Sequence, residues 1–431
     1  MAKRKMRHWD EERTSILDQP ELFVQKMRGS KHYLYAWLQE PEVEKCPICG
    51  GKVIKIHDLF SKTYRELIYE ENKPVAVLLE YEFHKFRCLN PECHHIFAKK
   101  IRFASRNDNV TYRLEDKIAR MVMEGNSYGQ ISELFDESLT RQAVGQIFNR
   151  WVRKKDELRV VQNPPAAIAI LSGLLDKDRY TIILSLDRDI HIFDILYGVR
   201  ANDIAAVFRR IGITNIKTVI SDCTPTIVET IKDYLPEALH IIPGEFWLKL
   251  VEDDFREFAL DAIRWSPIRD KEQLIIMPPS EIVRRKYDLD RLLDAKLSVR
   301  QPHSDINRLR GIIASQEEMW VYEELAEWVE TVDPVFGDCL SATITQLELH
   351  RPEIEAHTQN RECVPERLYP LANRIEKLIS NKRTFSAEVL RARVLYSSNI
   401  SEEDLQDWHG IPVEDAIAAL DTLNGGKANE Q

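Results

Sequence analysis

The sequence of 431 residues lacks any apolar run that approaches the roughly 20 residues of a membrane-spanning helix. Its beginning, MAKRKMRHWDEERTS, is charged throughout and lacks the apolar stretch of a secretory signal. Neither an internal repeat nor a low-complexity segment is present. Hydrophobic residues make up 44% of the chain, which is ample material for a core. These features predict a globular protein of the cytoplasm that has no membrane partner.

Cysteine is scarce and unevenly placed. Four of the seven cysteines fall within a window of 48 residues, and the other three are scattered through the second half of the chain. In a cytosolic protein this distribution argues against a disulfide framework and indicates a metal site plus isolated thiols. The four clustered residues are Cys46, Cys49, Cys88 and Cys93.

Charge of one sign is segregated along the chain. Residues 1–160 hold 29 lysines and arginines against 24 aspartates and glutamates, whereas residues 161–431 hold 31 against 46. The overall net charge of -10 therefore says little about partners, because a basic N-terminal segment can approach phosphates on its own. Solvated surfaces of differing sign are the alternative explanation.

The cysteine motifs CPICGGK and RCLNPECHHIF give Cys-x2-Cys, 38 intervening residues and Cys-x4-Cys. Two closely spaced thiolates in each motif can turn toward one ion, and zinc completes a tetrahedral site with four sulfurs. Such a closed site has no open position, so we predict a structural zinc ion. Four unrelated buried thiols are the alternative, and His57, His94 and His95 are interpreted as bystanders.

The segment YRLEDKIARMVMEGNSYGQISELFDESLTRQAVGQIFNRWVRKK divides into three amphipathic helices. Gly125 ends the first helix, and Ser127 and Thr140 can cap the second and third. A short turn followed by a helix with exposed Arg, Gln and Asn is the arrangement of a helix-turn-helix that enters the major groove. A generic helical bundle with a polar outer face is the alternative. The predicted DNA contacts are Arg141, Gln142, Gln146, Asn149, Arg150 and Arg153.

Beyond Pro164 and Pro165, which mark a domain boundary, the pattern changes. Three adjacent strand-like runs, AAIAILSGLL, YTIILSL and IHIFDILYGV, precede alternating helical and strand-like runs, which is an α/β order. From about residue 247 almost all of the sequence has a helical pattern. The sequence thus predicts an α/β domain combined with all-α parts.

These parts in this order resemble bacterial insertion-sequence transposases of the ISL-three group. The resemblance covers about residues 41–400 and is most specific in the cysteine motifs, the helix-turn-helix, VISDCTPTIVETIKDYLPEALHIIPGEFWLKL and LANRIEKLISNKRTFSAEVLRARVLY. It implies a ribonuclease-H-like domain of the DDE type, double-stranded DNA as partner, a homo-oligomer and a place at the nucleoid. The predicted parts are an N-terminal helical extension (1–40), a zinc-binding domain (41–105), a helix-turn-helix domain (106–160), the ribonuclease-H-like core (166–265), a helical insertion (266–350), C-terminal helices that complete the core (351–420) and a disordered tail (421–431).

The resemblance also implies a centre in which two aspartates and a glutamate hold two Mg²⁺ ions about 4 Å apart. The second aspartate matches Asp222. The first falls on Ile170 or Leu171, and the glutamate, three residues before Asn373, falls on Pro370. Two of the three carboxylates are therefore absent, and Asp222 is a remnant of the centre.

Other acidic residues are candidates to replace the missing ligands. Glu366, one helical turn before Pro370, is the first substitute, and the turn aspartates Asp176, Asp178 and Asp187 are others, as is Asp189. The preferred hypothesis is a DNA-binding protein of transposase descent without catalysis. The alternatives are an active, Mg²⁺-dependent transposase with relocated ligands, and a protein-interaction module.

Overall fold

The computed structural model describes a mixed α/β protein with two compact units, residues 1–158 and 159–431. The boundary follows Leu158, a few residues before the predicted proline pair. The described residues are 23–29, 33–39, 43, 45–52, 54–70, 73–98, 101–105, 107–136, 138–175, 178–278, 281–315, 321–380, 386–397 and 400–425.

The sheet of the first unit is built around a long antiparallel hairpin. Strand β3 (Ile54–Glu70) pairs with β4 (Lys73–Cys88), and the short β5 (Ile96–Ala98) pairs with the end of β4. Strand β4 matches the run KPVAVLLEYEFHKFRC, which is rich in the β-branched and aromatic residues that favour strands. Tyr64 and Tyr81 pack edge-on against Phe103 in the core beside this hairpin.

The prediction of a helical extension over residues 1–40 is wrong for its described part. Strands β1 (Phe23–Gly29) and β2 (Tyr33–Gln39) form an antiparallel pair there, and β2 lies parallel to β4. The run YLYAWLQ is rich in aromatic residues, and pairing with the edge of a distant strand overrides its helical pattern. Residues 1–22 of the predicted extension lie outside the described residues.

Three helices complete the first unit: α1 (Tyr112–Met123), α2 (Tyr128–Glu133) and α3 (Arg141–Leu158). Gly125 follows α1 with φ of 104°, which a glycine adopts without strain. Ser127 and Gln130 form a capping box at the start of α2, and the Thr140 hydroxyl accepts the Ala143 N–H at 3.2 Å. The predicted stop and both predicted caps are therefore confirmed.

The buried Glu66 joins the hairpin to α1. Its carboxylate accepts the Thr111 hydroxyl at 2.6 Å and lies 3.4 Å from the Lys117 ammonium. Thr111 is also the N-cap of α1, so Glu66 of β3 holds the residue at which that helix begins. The helices are in this way tied to the hairpin that carries two of the clustered cysteines near its end.

The second unit contains a six-stranded mixed sheet. Strands β6 (Ala167–Leu175), β7 (Asp178–Ser185) and β8 (His191–Tyr197) are antiparallel neighbours, and β9 (Thr218–Ser221) and β10 (Leu239–Ile241) lie parallel on the other side of β6. All five strands were predicted. A short strand, β11 (Ile411–Pro412), pairs with β8 at the edge and was not predicted.

Helices surround this sheet and form a second core of their own. Trp247 and Trp328 meet edge-on in that core at 5.9 Å between ring centroids. The described helices are α4 (Ala201–Ile211), α5 (Pro225–Tyr234), α6 (Gly244–Ile263), α7 (Lys271–Leu274), α8 (Lys286–Ala295), α9 (Leu297–Ala314), α10 (Val321–Thr331), α11 (Pro334–Cys339), α12 (Ser341–Leu349), α13 (Arg351–Gln359), α14 (Leu368–Ser380), α15 (Ala387–Tyr396), α16 (Glu402–Gln406) and α17 (Val413–Gly425).

The last helices return to the sheet. Helix α13 contacts β10, α14 contacts β6 and α15 contacts β8, while α17 packs on α14 and α15. Helix α17 continues to Gly425, so residues 421–425 of the predicted disordered tail are helical because Leu420 is buried and Asp421 lies 3.7 Å from Arg374. Residues 426–431 lie outside the described part. Among the described helices, none is long and apolar enough to cross a membrane.

Asp194 on β8 is the centre of a buried ionic network. One carboxylate oxygen accepts Arg159 at 3.1 Å and Arg210 at 2.5 Å, and the other accepts Arg391 at 3.0 Å. Burial alone would raise the pKa of Asp194, but the three guanidinium groups outweigh it and hold the pKa well below its usual range. The network therefore stabilises the fold above pH of about 4, and this contribution is lost as the pH falls further.

We expect Asp194→Ala to lower the free energy of unfolding by about 3–5 kcal/mol, because the fully buried Arg159 keeps its charge without this carboxylate. Urea unfolding followed by circular dichroism measures the change. Asp189→Ala is the matched control, since that exposed aspartate should change stability by less than about 0.5 kcal/mol. An unchanged midpoint for Asp194→Ala would contradict this account.

Candidate functional site

The four cysteines come together at the end of the hairpin. Their sulfur atoms all lie within 4.8 Å of one another, with 3.8 Å between Cys46 and Cys93 and 3.5 Å between Cys49 and Cys88. A tetrahedron with Zn–S bonds of about 2.3 Å places its sulfurs about 3.8 Å apart. The cluster can therefore hold a metal ion such as zinc.

Tight turns position the sulfurs. In the first, Gly50 has φ of 69° and its N–H donates to the Cys46 carbonyl at 3.0 Å. In the second, His94 has φ of 47°, and its N–H donates to the Asn90 carbonyl at 3.2 Å. Positive φ is easily adopted by glycine and tolerated by histidine, so both turns fit their sequences. His94 and His95 are exposed, and neither belongs to the cluster.

The electrostatics of the cluster favour a bound cation. A hydrogen bond from the backbone of Gly51 and another from the Cys88 thiol lower the pKa of Cys49 to about 6. Thiolates are the metal-binding form of cysteine, so the lowered pKa of Cys49 favours the binding of a cation. A metal ion would draw the remaining thiols into the same state.

Helix α3 presents two chemically different faces. Val144, Ile147, Phe148 and Trp151 are buried, as the sequence predicted. The opposite face is polar and faces solvent. Its exposed residues are Arg141, Gln142, Gln146, Asn149 and Arg153.

Arg150 is the exception among the six predicted DNA contacts. Its guanidinium lies 2.7 Å from Asp108 and 2.6 Å from the buried Glu115, which also binds Lys154 at 2.6 Å. A buried carboxylate needs a cationic partner, and Arg150 provides it for α1. Arg150 therefore has a structural role. The acidic residues of α1 were the available signal, but their proximity to Arg150 depends on how the helices pack.

Asp222 lies in a cavity of about 480 Å³ in the second unit. Its carboxylate accepts the Ser172 N–H of β6 at 2.5 Å and the Thr224 N–H at 2.9 Å, just before α5. The carboxylate thus fixes the crossing from β9 to α5 against β6. Ile170 and Leu171, one of which the resemblance matches to the first aspartate, are buried.

Other acidic groups reach the same cavity. Asp253 of α6 and Glu376 of α14 line it, but Glu376 is ion-paired with Lys249. These carboxylates do not form a metal-binding group with Asp222, because among the described residues only the four cysteines have three or more ligand atoms within 4.8 Å of one another. As arranged, the cavity does not fit a pair of Mg²⁺ ions.

Glu366 does not join Asp222. It lines a separate cavity of about 320 Å³, together with Glu245 and Arg361. Helix α14 begins at Leu368, and Pro370 stands in its first turn, where a helix does not need the missing N–H. Glu366 therefore precedes the helix and is not one helical turn before Pro370 on it. The proposal of Glu366 as substitute is therefore not supported.

The two turn aspartates whose side chains the structure describes do not complete the site. Asp187 accepts the N–H groups of Ala166 and Ala167 at 2.8 and 3.0 Å, which is a structural role, and Asp189 is exposed. Asp176 and the side chain of Asp178 lie outside the described residues.

The Cys223 thiol, which also lines the cavity of Asp222, is not a thiolate nucleophile at neutral pH, because burial and the Asp222 charge raise the pKa of Cys223 to about 12.

A buried polar group lies directly behind Asp222 and was missed from the sequence. The Ser221 hydroxyl contacts the His240 ring at 2.7 Å, and Glu353 pairs with Lys232 at 2.9 Å. Burial lowers the pKa of His240 to about 4, although the Glu353 charge opposes it, so the imidazole is neutral at pH 7. Ser221 is fully buried, and the group therefore stabilises the end of β9.

Comparison with models of known protein families and with curated protein sequences finds no match to this chain.

The metal site gives a direct prediction. We expect Cys88→Ser to lose the ion, because three sulfurs hold zinc far less tightly than four. Elemental analysis of the purified protein measures the metal content per chain. Cys339→Ser is the matched control, since Cys339 is exposed and lies in the other unit. A full complement of metal in Cys88→Ser would exclude the four-sulfur site.

Proposed function

We propose that the protein binds double-stranded DNA through α3 and descends from insertion-sequence transposases of the ISL-three group. The observation that carries this proposal is the exposed face of α3, where arginine, glutamine and asparagine side chains stand opposite a buried apolar face. These side chains can make paired hydrogen bonds to base edges or bind phosphates. A short capped helix followed in the chain by a second helix is also the usual arrangement in proteins whose second helix enters the major groove.

The rest of the first unit supports the same function. The sequence up to residue 160 is basic, which favours an approach to phosphates. We propose that the cysteine cluster holds zinc and that this ion keeps the hairpin ordered. Because Glu66 links the hairpin to α1, an ordered hairpin helps to hold the three helices.

For the second unit we propose a ribonuclease-H-like domain that has lost its catalytic centre. Support comes from the sheet, in which the antiparallel strands β6, β7 and β8 precede β9 and β10 along the chain, and β9 and β10 lie parallel to β6 on its other side. Asp222 at the end of β9 lies beside β6, where this family places its aspartates. The domain then serves as a scaffold, and the homo-oligomer expected from the resemblance remains a prediction.

A second candidate function is metal-dependent DNA strand transfer. The observation that favours it is the presence of Asp222, Asp253 and Glu376 around one cavity. Against it stand the two backbone N–H groups that occupy Asp222 and the Lys249 ammonium that neutralises Glu376. These contacts would have to be broken before a metal ion could take their place.

Replacement of the exposed arginines tests DNA binding. We expect Arg141→Ala and Arg153→Ala each to weaken binding to the DNA that flanks the gene by about 5- to 100-fold, as lost base or phosphate contacts do. Fluorescence anisotropy at several salt concentrations measures the affinity. Arg120→Ala, an exposed change on α1 of the same unit, is the control. Equal affinities for all these variants would reject α3 as the contact.

Replacement of Asp222 tests catalysis. We expect wild-type protein and Asp222→Asn to show equally little Mg²⁺-dependent cleavage of the flanking DNA, measured on end-labelled strands. Ser172 and Thr224 donate to different oxygens of Asp222, so asparagine removes the charge and keeps an acceptor for one of the two N–H groups, and circular dichroism checks that the fold is retained. Cleavage by wild type that Asp222→Asn and Asp253→Asn abolish, but that Glu366→Gln retains, would establish the second candidate.

A further inference from the structure

The segment from Arg264 to Arg291 is unlike the rest of the second unit. It holds seven basic and five acidic residues, whereas residues 161–431 as a whole are strongly acidic. It also carries two of the most exposed aromatic side chains, since Trp265 is 84% and Tyr287 is 73% exposed. The guanidinium of Arg264 lies 5.4 Å from the centre of the Trp265 ring, and that of Arg291 lies 5.7 Å from Tyr287.

A cleft of about 630 Å³ lies within this segment, lined by three arginines and two aspartates. Arg285 pairs with both acidic residues of the cleft, at 3.4 Å from Asp288 and 3.7 Å from Asp270, so the lining as a whole carries one net positive charge. Arg269 and Arg291 are exposed, and neither has a carboxylate partner among the described residues. Two guanidinium groups are therefore available to an anion.

The shape of the segment is maintained by side chains that donate hydrogen bonds to backbone carbonyls, and not by Arg269 and Arg291. Arg285 donates to the Arg269 carbonyl at 2.6 Å, and the Lys271 ammonium donates to the Ser266 carbonyl at 2.9 Å. Leu274, Ile282 and Leu289 form a small apolar core beneath. Removal of Arg269 or Arg291 should for this reason leave the fold of the segment intact.

We propose that this cleft binds phosphate groups of nucleic acid, with Trp265 and Tyr287 in contact with the adjoining sugars and bases. Guanidinium groups bind phosphate through paired hydrogen bonds, and exposed rings beside them offer a stacking surface. A nucleic acid strand offers phosphates and ring faces side by side, which matches the pairing of a guanidinium with an exposed ring at Arg264 and Trp265 and at Arg291 and Tyr287. The inference rests on the proposed DNA-binding function and adds a second contact, in the other unit, to that of α3.

The test uses the full chain and labelled single-stranded and double-stranded DNA from the gene's flanks. We expect Arg269→Gln/Arg291→Gln to weaken binding about tenfold and to reduce the slope of log K against log salt by about 1–2, as the loss of two phosphate contacts does. Trp265→Ala should weaken binding of the single strand more than that of the duplex. The matched control is Arg300→Gln/Arg351→Gln, which removes two exposed arginines outside the cleft.

The outcomes separate this inference from the function on which it rests. Wild-type affinity and salt slope in the cleft variant, together with a loss in Arg141→Ala, would overturn the inference and leave the role of α3 intact. A loss in the cleft variant without one in Arg141→Ala and Arg153→Ala would support the cleft and reject α3. Displacement of DNA from the cleft by poly-glutamate at equal charge concentration would overturn the preference for nucleic acid, because carboxylates would then suffice.

Discussion

The second unit depends on the requirement that a buried carboxylate be neutralised. Asp194 lies inside the sheet, and its charge can be kept there only because arginines from three separate parts of the chain converge on it. Arg159 begins the unit, Arg210 ends α4 and Arg391 belongs to α15. The network therefore joins the first residue of the unit, the sheet and a helix that lies about two hundred positions further along the sequence.

The first unit uses buried carboxylates in the same way, and this decides which cations remain for DNA. Glu66 fixes the start of α1 against the hairpin, and Glu115 holds Arg150 and Lys154 of α3 against α1. Arg150 and Lys154 are thus bound in ion pairs within the unit, whereas Arg141 and Arg153 are exposed. The proposed interface is narrower than the composition of the helix suggests, and its orientation is set by the internal pairs.

The carboxylate of Asp222 is bound within the fold. Its two oxygens accept the backbone N–H groups of Ser172 and Thr224, and Lys249 pairs with Glu376 in the same cavity. A carboxylate so occupied connects β6, β9 and α5 and contributes to the fold. Asp222 therefore has a structural role that does not depend on a metal ion.

The sequence by itself determined the features that depend on neighbouring residues. These are the cysteine knuckles, the caps at Ser127 and Thr140, the buried face of α3 and the positions of strands β6 to β10 along the chain, because spacing and periodicity act locally. Only the tertiary structure decided that residues 23–29 and 33–39 form strands, that Arg150 is bound internally, and that Asp253 and Glu376, not Glu366, line the cavity of Asp222. Each of these features depends on a contact with a residue far away in the chain. Such a contact produces no local periodicity from which it could be predicted.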